Sequence, residues 1–432
     1  MNLLPHRFRA RLRSIRLLVP LQRRDYALLM AGATVSLLGD GFFTVALAWQ
    51  VYEISNVPTA LSIVGVAWTA PLILFILLGG VFSDRYDRRL MMIGADAVRA
   101  AAIGLMGALS VAGVLSLWHI IALIAFVGLG DAFFNPASTA IVPTLLPDDE
   151  LPQANALQGF IRPFMIRLMG PALGGFVVAL AGPGTAFVID AFTFVLSAVA
   201  IGAIATRPSF TAVSHGIGQT LLEMREGFSF VRHNPWCWAT LVAAMFSLLL
   251  FIGPVQVLLP FVVKNQLGLG AESLGFIYAA GGIGSVCAAL LLGQLGLPRL
   301  KITVMYAVWT GGVLLLAGYG LMTALWQALL IGFLWQALFQ AGGIIWVTLL
   351  QTLVPRRLLG RVTSLDWLMS AGLVPLSYAL TGPVAAQLGA SATMIWGGLV
   401  GAFFMGVLLF VPGVRDPERQ PVTERPAGEV AG

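Results

Sequence analysis

From residue 26 to residue 412 the chain runs repeatedly for about 20 to 27 residues with scarcely a charge. That is the length an α-helix needs to cross a hydrocarbon core of ~30 Å at about 1.5 Å per residue. Cutting at polar or Gly/Pro breaks gives about twelve such spans, at 26–50, 61–82, 90–112, 118–142, 155–181, 185–205, 236–262, 272–295, 301–321, 326–350, 364–388 and 391–412. The expected fold is an all-α membrane protein of twelve transmembrane helices. Composition agrees, because 58% hydrophobic and 10% charged residues with a mean hydropathy of +0.90 lie far from the roughly 25% charged of soluble domains.

The positions of the charges set an orientation. Nearly all Lys and Arg outside the spans fall on alternate links, with Lys264 alone on the other side. Short basic loops mark the cytoplasmic face, so both termini are expected in the cytoplasm and the protein in the inner (cytoplasmic) membrane. The formal charge of +6 and pI near 9.7 come from this scatter of single residues. No basic domain is gathered for a nucleic acid, and none is expected as a partner. Cys237 and Cys287, both in apolar runs, supply neither a disulfide framework nor a metal site.

The longest polar interruption, 206–235, separates an N-terminal six-helix half (26–205) from a C-terminal one (236–412). Within it Leu221, Met224, Phe228 and Val231 step by three or four, the stripe of an amphipathic helix on the membrane surface, acting as a tether or as a regulatory element. Residues 1–25 form a basic segment whose Arg7, Arg9, Arg11, Arg13 and Arg16 interrupt every apolar run, so a cleavable signal is not expected. Such a segment can lie along an anionic leaflet or extend as a disordered arm. Residues 413–432 read as a disordered tail. The halves also echo each other, in Thr139 to Leu157 against Thr348 to Leu365 and in Gly170-Pro171 against Gly382-Pro383.

A charge within a spanning helix costs at least ~2.5–3.5 kcal/mol on insertion scales, which makes such groups functional candidates. The N-terminal half holds Asp40, Asp96, Arg99, Asp131, Arg162, Arg167 and Asp190, whereas the C-terminal half holds Asp366. Asp40 and Asp131 fall near the middle of their spans, where a carboxyl can take up and release a proton during coupled transport. Alternatively, Arg162 or Arg167 neutralises them and the pairs merely order the bundle. Asp96 and Arg99, spaced i, i+3, are expected to pair near the cytoplasmic surface. Asp190 is expected at a hydrated rim, about five residues from the end of its span. No G-x-x-x-x-G-K-[ST] loop occurs, so an ATP-driven pump is not expected, and a channel or scaffold would not need buried aspartates.

One loop narrows the reading. Between two apolar spans, Leu78 to Met92 carries Asp84, Arg85, Asp87, Arg88 and Arg89. Gly80, Asp84, Arg85, Arg88 and Arg89 resemble the G-x-x-x-D-R-x-G-R-R/K signature between helices 2 and 3 of major facilitator superfamily transporters, with Asp87 where the family has a second Gly. That substitution makes a left-handed turn less automatic, although Asp tolerates one better than most residues. The resemblance implies two six-helix halves around a central cavity. It also implies that Asp84 meets the start of helix 11, at Gly360 to Thr363, as an inner gate next to Asp96 and Arg99.

Gly170, Pro171, Gly174 and Gly175 resemble the GP-x-x-GG span-5 signature of antiporters in the superfamily, with Arg162 and Arg167 intruding where that signature is small and apolar. The runs Phe133 to Leu157, Gly39 to Phe43 and Glu226 to Trp236 resemble the macrolide-efflux and enterobactin-exporter branch. This implies a proton antiporter, not an enzyme, that exports a hydrophobic or amphipathic small molecule by alternating access, as in multidrug resistance. The alternative is a dedicated siderophore or metabolite exporter of the same fold. Trp49, Phe133, Phe134, Trp335, Phe339 and Trp346 would line a cavity for such a cargo. The expected partners are that cargo and the lipid bilayer; the protein is expected to be a monomer, with no cofactor beyond the proton gradient.

Overall fold

The computed structural model describes residues 16–206 and 217–419. Residues 1–15 of the basic segment, 207–216 of the linker and the tail from 420 onward lie outside the described residues, as do the side chains of Asp84, Leu221 and Met224. Helix dominates, and no strand occurs among the described residues.

Among the described residues, eleven helical stretches are long and apolar enough to span a membrane, and the longest, Asp148–Gly202, has 55 residues. At about 1.5 Å per residue it is far too long for one crossing, and it breaks at Gly182, whose φ of 78° only glycine adopts without strain. The described residues thus supply twelve crossings: α1 (Arg24–Ile54), α2 (Pro58–Arg85), α3 (Arg88–Val111), α4 (Leu117–Leu145), α5 (151–181), α6 (183–202), α7 (Pro235–Asn265), α8 (Ala271–Leu295), α9 (Lys301–Leu321), α10 (Leu325–Leu353), α11 (Arg357–Leu388) and α12 (Ala390–Leu408). Gly113 and Gly389, with φ of 71° and 84°, make the left-handed turns after α3 and before α12.

Prolines set the irregular turns. Pro171 cannot donate to the carbonyl of Arg167, and a π-helical turn at Phe164–Met169 takes up the difference. Pro260 stands in the same relation to Gln256, inside the π turn Pro254–Leu258 of α7. Helix α11 breaks at Leu373, two residues before Pro375. The breaks in α5 and α11, at matching places in the two halves, preserve the echo seen in the sequence.

The packing repeats as well. Helix α2 packs on α4 and α3 on α6, as α8 packs on α10 and α9 on α12. Between the halves the main contacts are α2 with α11 and α5 with α8. These gather at the end opposite Arg23, Arg85 and Arg357, which we call the far end; the other is the basic end. One apolar core crosses both halves towards the far end, from Tyr52 and Val64 to Val257 and Met394. Towards the basic end each half keeps a core of its own, around Tyr26, Met92 and Ile141 in one and around Tyr306, Trp346 and Val362 in the other. The halves are therefore closed on each other at the far end and parted at the basic end.

Polar ties fasten the closed end. The Tyr52 hydroxyl donates to Val257 O at 2.6 Å, Lys264 Nζ donates to Tyr52 O at 2.6 Å, and the amides of Asn56 and Asn265 exchange hydrogen bonds at 2.6 and 3.0 Å. Lys264, which broke the charge pattern of the loops, is part of this fastening. Close approach needs small residues: a Cβ on Gly382 would lie 2.7 Å from Thr59 Cα, and one on Gly175 would lie 3.1 Å from Gly275 Cα.

The linker helix Ile217–His233 packs on the start of α11, through Gly227 against Arg361 and through the Glu226–Arg361 ion pair. Of the expected apolar stripe, Val231 is buried and Phe228 is exposed.

Candidate functional site

Charge inside the N-terminal half is concentrated on one guanidinium. Arg99 of α3 donates through Nη1 to Asp131 Oδ1 of α4 at 3.1 Å and through Nη2 to Asp96 Oδ1, one turn back on its own helix. Asp131 Oδ2 also accepts from Trp68 Nε1 at 3.0 Å. The guanidinium lies between two rings, 4.2 Å from the centre of Phe134 and 4.3 Å from that of Phe194, so cations and π faces add to the ion pairs. Gly130 makes the approach possible, since a Cβ there would lie 2.7 Å from Arg99 Cγ. Asp96 is 0% and Arg99 4% exposed; removing one partner of such a buried pair costs roughly 3–5 kcal/mol.

The expected i, i+3 pair is present, but Arg99 bridges onward to Asp131 and so joins the mid-helix carboxyls, not the loop. Arg162 and Arg167 do not make that pair; Arg162 is exposed and Arg167 half-buried on α5. Asp40 of α1 is half-buried, with Arg99, Asp131 and Arg162 among its charged neighbours.

Asp190 corrects an expectation. It is not at a hydrated rim but fully buried, with its carboxylate against Gly39, where a Cβ would lie 2.3 Å from Asp190 Oδ1. Thr193 Oγ1 donates to that same oxygen at 3.3 Å. Counting residues from the helix end says nothing of which way a side chain faces, and α6 turns this one towards α1 and α3.

The loop between α2 and α3 works through its arginines. Asp87 adopts φ −61° and ψ 111°, not a left-handed turn, and its side chain caps α3 by accepting from Arg89 N at 2.9 Å. The residue in the family's glycine position thus serves as an N-cap. Arg88 donates to Ser83 O at 3.1 Å and to Ala140 O of α4 at 2.9 Å, and Arg89 donates to Gly202 O at the end of α6. Each guanidinium meets carbonyls near a helix C-terminus, where positive charge is favoured. Arg85 is exposed, and a Cβ on Gly80 or on Gly360 would meet open space.

The glycines of α5 are contact surfaces. A Cβ on Gly41 would lie 2.6 Å from Gly170 Cα, and one on Gly174 would lie 2.6 Å from Phe42 Cα, so α5 lies directly on α1 beside Asp40. Pro171 and Gly175 extend that surface to Gly275 of α8.

The six aromatics expected around one cavity separate. Trp335, Phe339 and Trp346 line a cavity of about 220 Å³ within the C-terminal half. Phe133 packs edge-on to Phe82, Phe134 covers Arg99, and Trp49 lies 5.6 Å beneath Lys264. The geometry adds Trp68, through its bond to Asp131, and gives Asp366 a place, in the lining of the aromatic cavity. Asp366 was visible as the lone ionisable group in its half. Nothing in the sequence tied Trp68 to a carboxyl 63 residues away.

A family model described as transmembrane secretion effector matches residues 15–430. The multidrug efflux pump Tap of Mycolicibacterium fortuitum is 26% identical over 411 residues, 90% of this chain and 95% of that protein. The enterobactin exporter EntS of Escherichia coli O81 (strain ED1a) is 26% identical over 389 residues, 87% of this chain and 89% of that protein. Among solved structures, a bacterial homologue of the human lysosomal transporter Spinster, inward-facing and unoccupied, superposes with a TM-score of 0.68 at 15% identity, covering 93% of this chain and 99% of its own.

Proposed function

This chain belongs to the transmembrane secretion effector family of major facilitator transporters, and we propose on that premise that it exports hydrophobic or amphipathic small molecules by proton antiport. The observation that supports coupling is the charge balance in the N-terminal half. Asp40, Asp96, Asp131 and Asp190 lie within electrostatic reach of the one buried guanidinium of Arg99. The buried Arg99 and the exposed Arg162 together do not balance four carboxylates in a low-dielectric bundle, and a proton is the smallest counter-charge that can enter and leave.

The route follows from the same arrangement. With the basic end in the cytoplasm, as short basic loops favour, the parted halves receive cargo from inside. Separation of the far-end contacts around Tyr52, Asn56 and Lys264 then releases it outside, while the loop Arg85–Arg89 closes on the start of α11. Protonation of Asp40 and Asp131 from outside returns the halves to the starting state, where the carboxyls release their protons to the cytoplasm. Arg99 releases and recaptures Asp131 in this cycle.

The multidrug pump Tap supports broad drug efflux. The second reading, a dedicated siderophore or metabolite exporter, draws on EntS and on Arg162 and Arg167, two guanidiniums near enough to repel each other on α5, which would attract an anionic cargo.

The test is accumulation of a fluorescent cationic dye in cells expressing wild type, Asp40→Asn or Asp131→Asn, with and without a protonophore. Wild type should lower accumulation, and the protonophore or either substitution should abolish the effect. Dye levels indifferent to all of these would sink proton-coupled multidrug export and favour a narrow cargo.

A further inference from the structure

The coupling cluster leaves the C-terminal half without a role, yet that half holds the cavity of about 220 Å³. An apolar cavity of about 150 Å³ already accepts benzene, so this one has room for a ring and its substituents. It lies between the middle of the bundle and the basic end, with Thr240 five residues into α7 and Met405 three residues from the end of α12. Its walls are aromatic and fixed. Trp335 stacks on Phe251 with centroids 5.1 Å apart, and Trp309 Nε1 donates to Phe339 O at 3.3 Å. Trp346 lies edge-on to Trp236 at 6.0 Å and shares the lining with Asp366. With the indole N–H of Trp309 committed to the protein, the π faces of the lining remain for a ligand.

Asp366 is the only ionisable residue in this lining, and its polar neighbours there include Trp346 and Ser370. Both are neutral. Arg361, five residues earlier on the same helix, pairs with Glu226 of the linker helix, and Arg162 and Arg167 lie in the other half. A carboxyl among π faces, with no cation in the lining, matches one ligand chemistry. We propose that the cavity is a binding site for a lipophilic monocation, with its ring among Trp309, Trp335 and Phe339 and its charge at Asp366. Aromatic faces attract cations by about 2 kcal/mol or more once water is excluded, and the carboxylate adds a direct counter-charge. The site rests on export of amphipathic compounds and gives their class.

The experiment uses the purified full chain in nanodiscs, with empty nanodiscs to subtract lipid partition. Tryptophan emission is titrated with phenyltrimethylammonium, with its neutral isostere tert-butylbenzene and with benzenesulfonate. Wild type should bind the cation more tightly than either other probe. Asp366→Asn should weaken the cation roughly tenfold, about 1.4 kcal/mol, and leave the neutral isostere within about twofold; Asp366→Glu should retain the preference. Cation affinity unchanged by Asp366→Asn, loss of both probes equally, or tighter binding of benzenesulfonate would overturn the proposal. Should Asp366→Asn not fold, the wild-type ranking decides alone, and equal affinity for the cation and its neutral isostere counts against the site. No transport step enters this measurement. A protein that binds the cation but leaves dye accumulation unchanged removes the multidrug-export reading and keeps the site; dye export without cation binding does the reverse.

Discussion

Gly39 and Gly130 omit a side chain where a charged neighbour fills the space, Asp190 against the first and Arg99 against the second. Gly39→Ala is expected to lower the melting temperature of the purified protein and to reduce export, since forcing a methyl into filled space costs about 1–3 kcal/mol. Gly94→Ala, at a position with nothing nearby, should change neither, and equal effects from the two would remove the packing argument. Arg99 carries a larger share, because Arg99→Gln strands Asp96 and Asp131 together. A loss of roughly 3–5 kcal/mol is expected, greater than for Asp131→Asn, and thermal melts of both variants rank them. Arg99→Lys keeps the charge but not the fork that reaches two carboxylates, and should fall between.

At the scale of elements, two contacts decide what can move. Helix α5 lies on α1 through Gly170 and Gly174, immediately beside Asp40, so a change in charge at Asp40 acts on the helix that also touches α8. The far-end fastening is the other. Cysteines at Asn56 and Asn265, whose amides meet at 2.6 Å, placed in a protein lacking Cys237 and Cys287, are expected to join through a short reducible bis-thiol crosslinker. Linked protein should stop exporting and recover with reductant. Continued export while linked would show that the far end need not open.

For the whole molecule, the arrangement makes a prediction about sidedness. Single cysteines replacing Ser55 at the far end or Tyr86 at the basic end, in the cysteine-free background, should react oppositely with a membrane-impermeant maleimide. Ser55→Cys should label in intact cells, Tyr86→Cys only after permeabilisation, and the reverse pattern would invert the direction of transport argued above. The single core that crosses the halves at one end, against separate cores at the other, is the basis for expecting one large conformational change instead of many small ones.

The sequence by itself determined how many times the chain crosses, where it turns and which end is basic, because span length, glycine turns and loop charge are local properties. It also singled out the loop at Arg88 and Arg89, the glycines of α5 and the ionisable residues within the spans. It did not determine that Arg99 bridges Asp96 and Asp131, that Asp190 is shut against Gly39, or that Trp335, Phe339 and Trp346 enclose a different space from Phe133 and Phe134. Helices that are apolar on every side carry no stripe to say which face meets a neighbour. The rotation of each helix, and so the company its charged residue keeps, was decided only when close-fitting small residues and scarce polar partners were satisfied together in the assembled bundle.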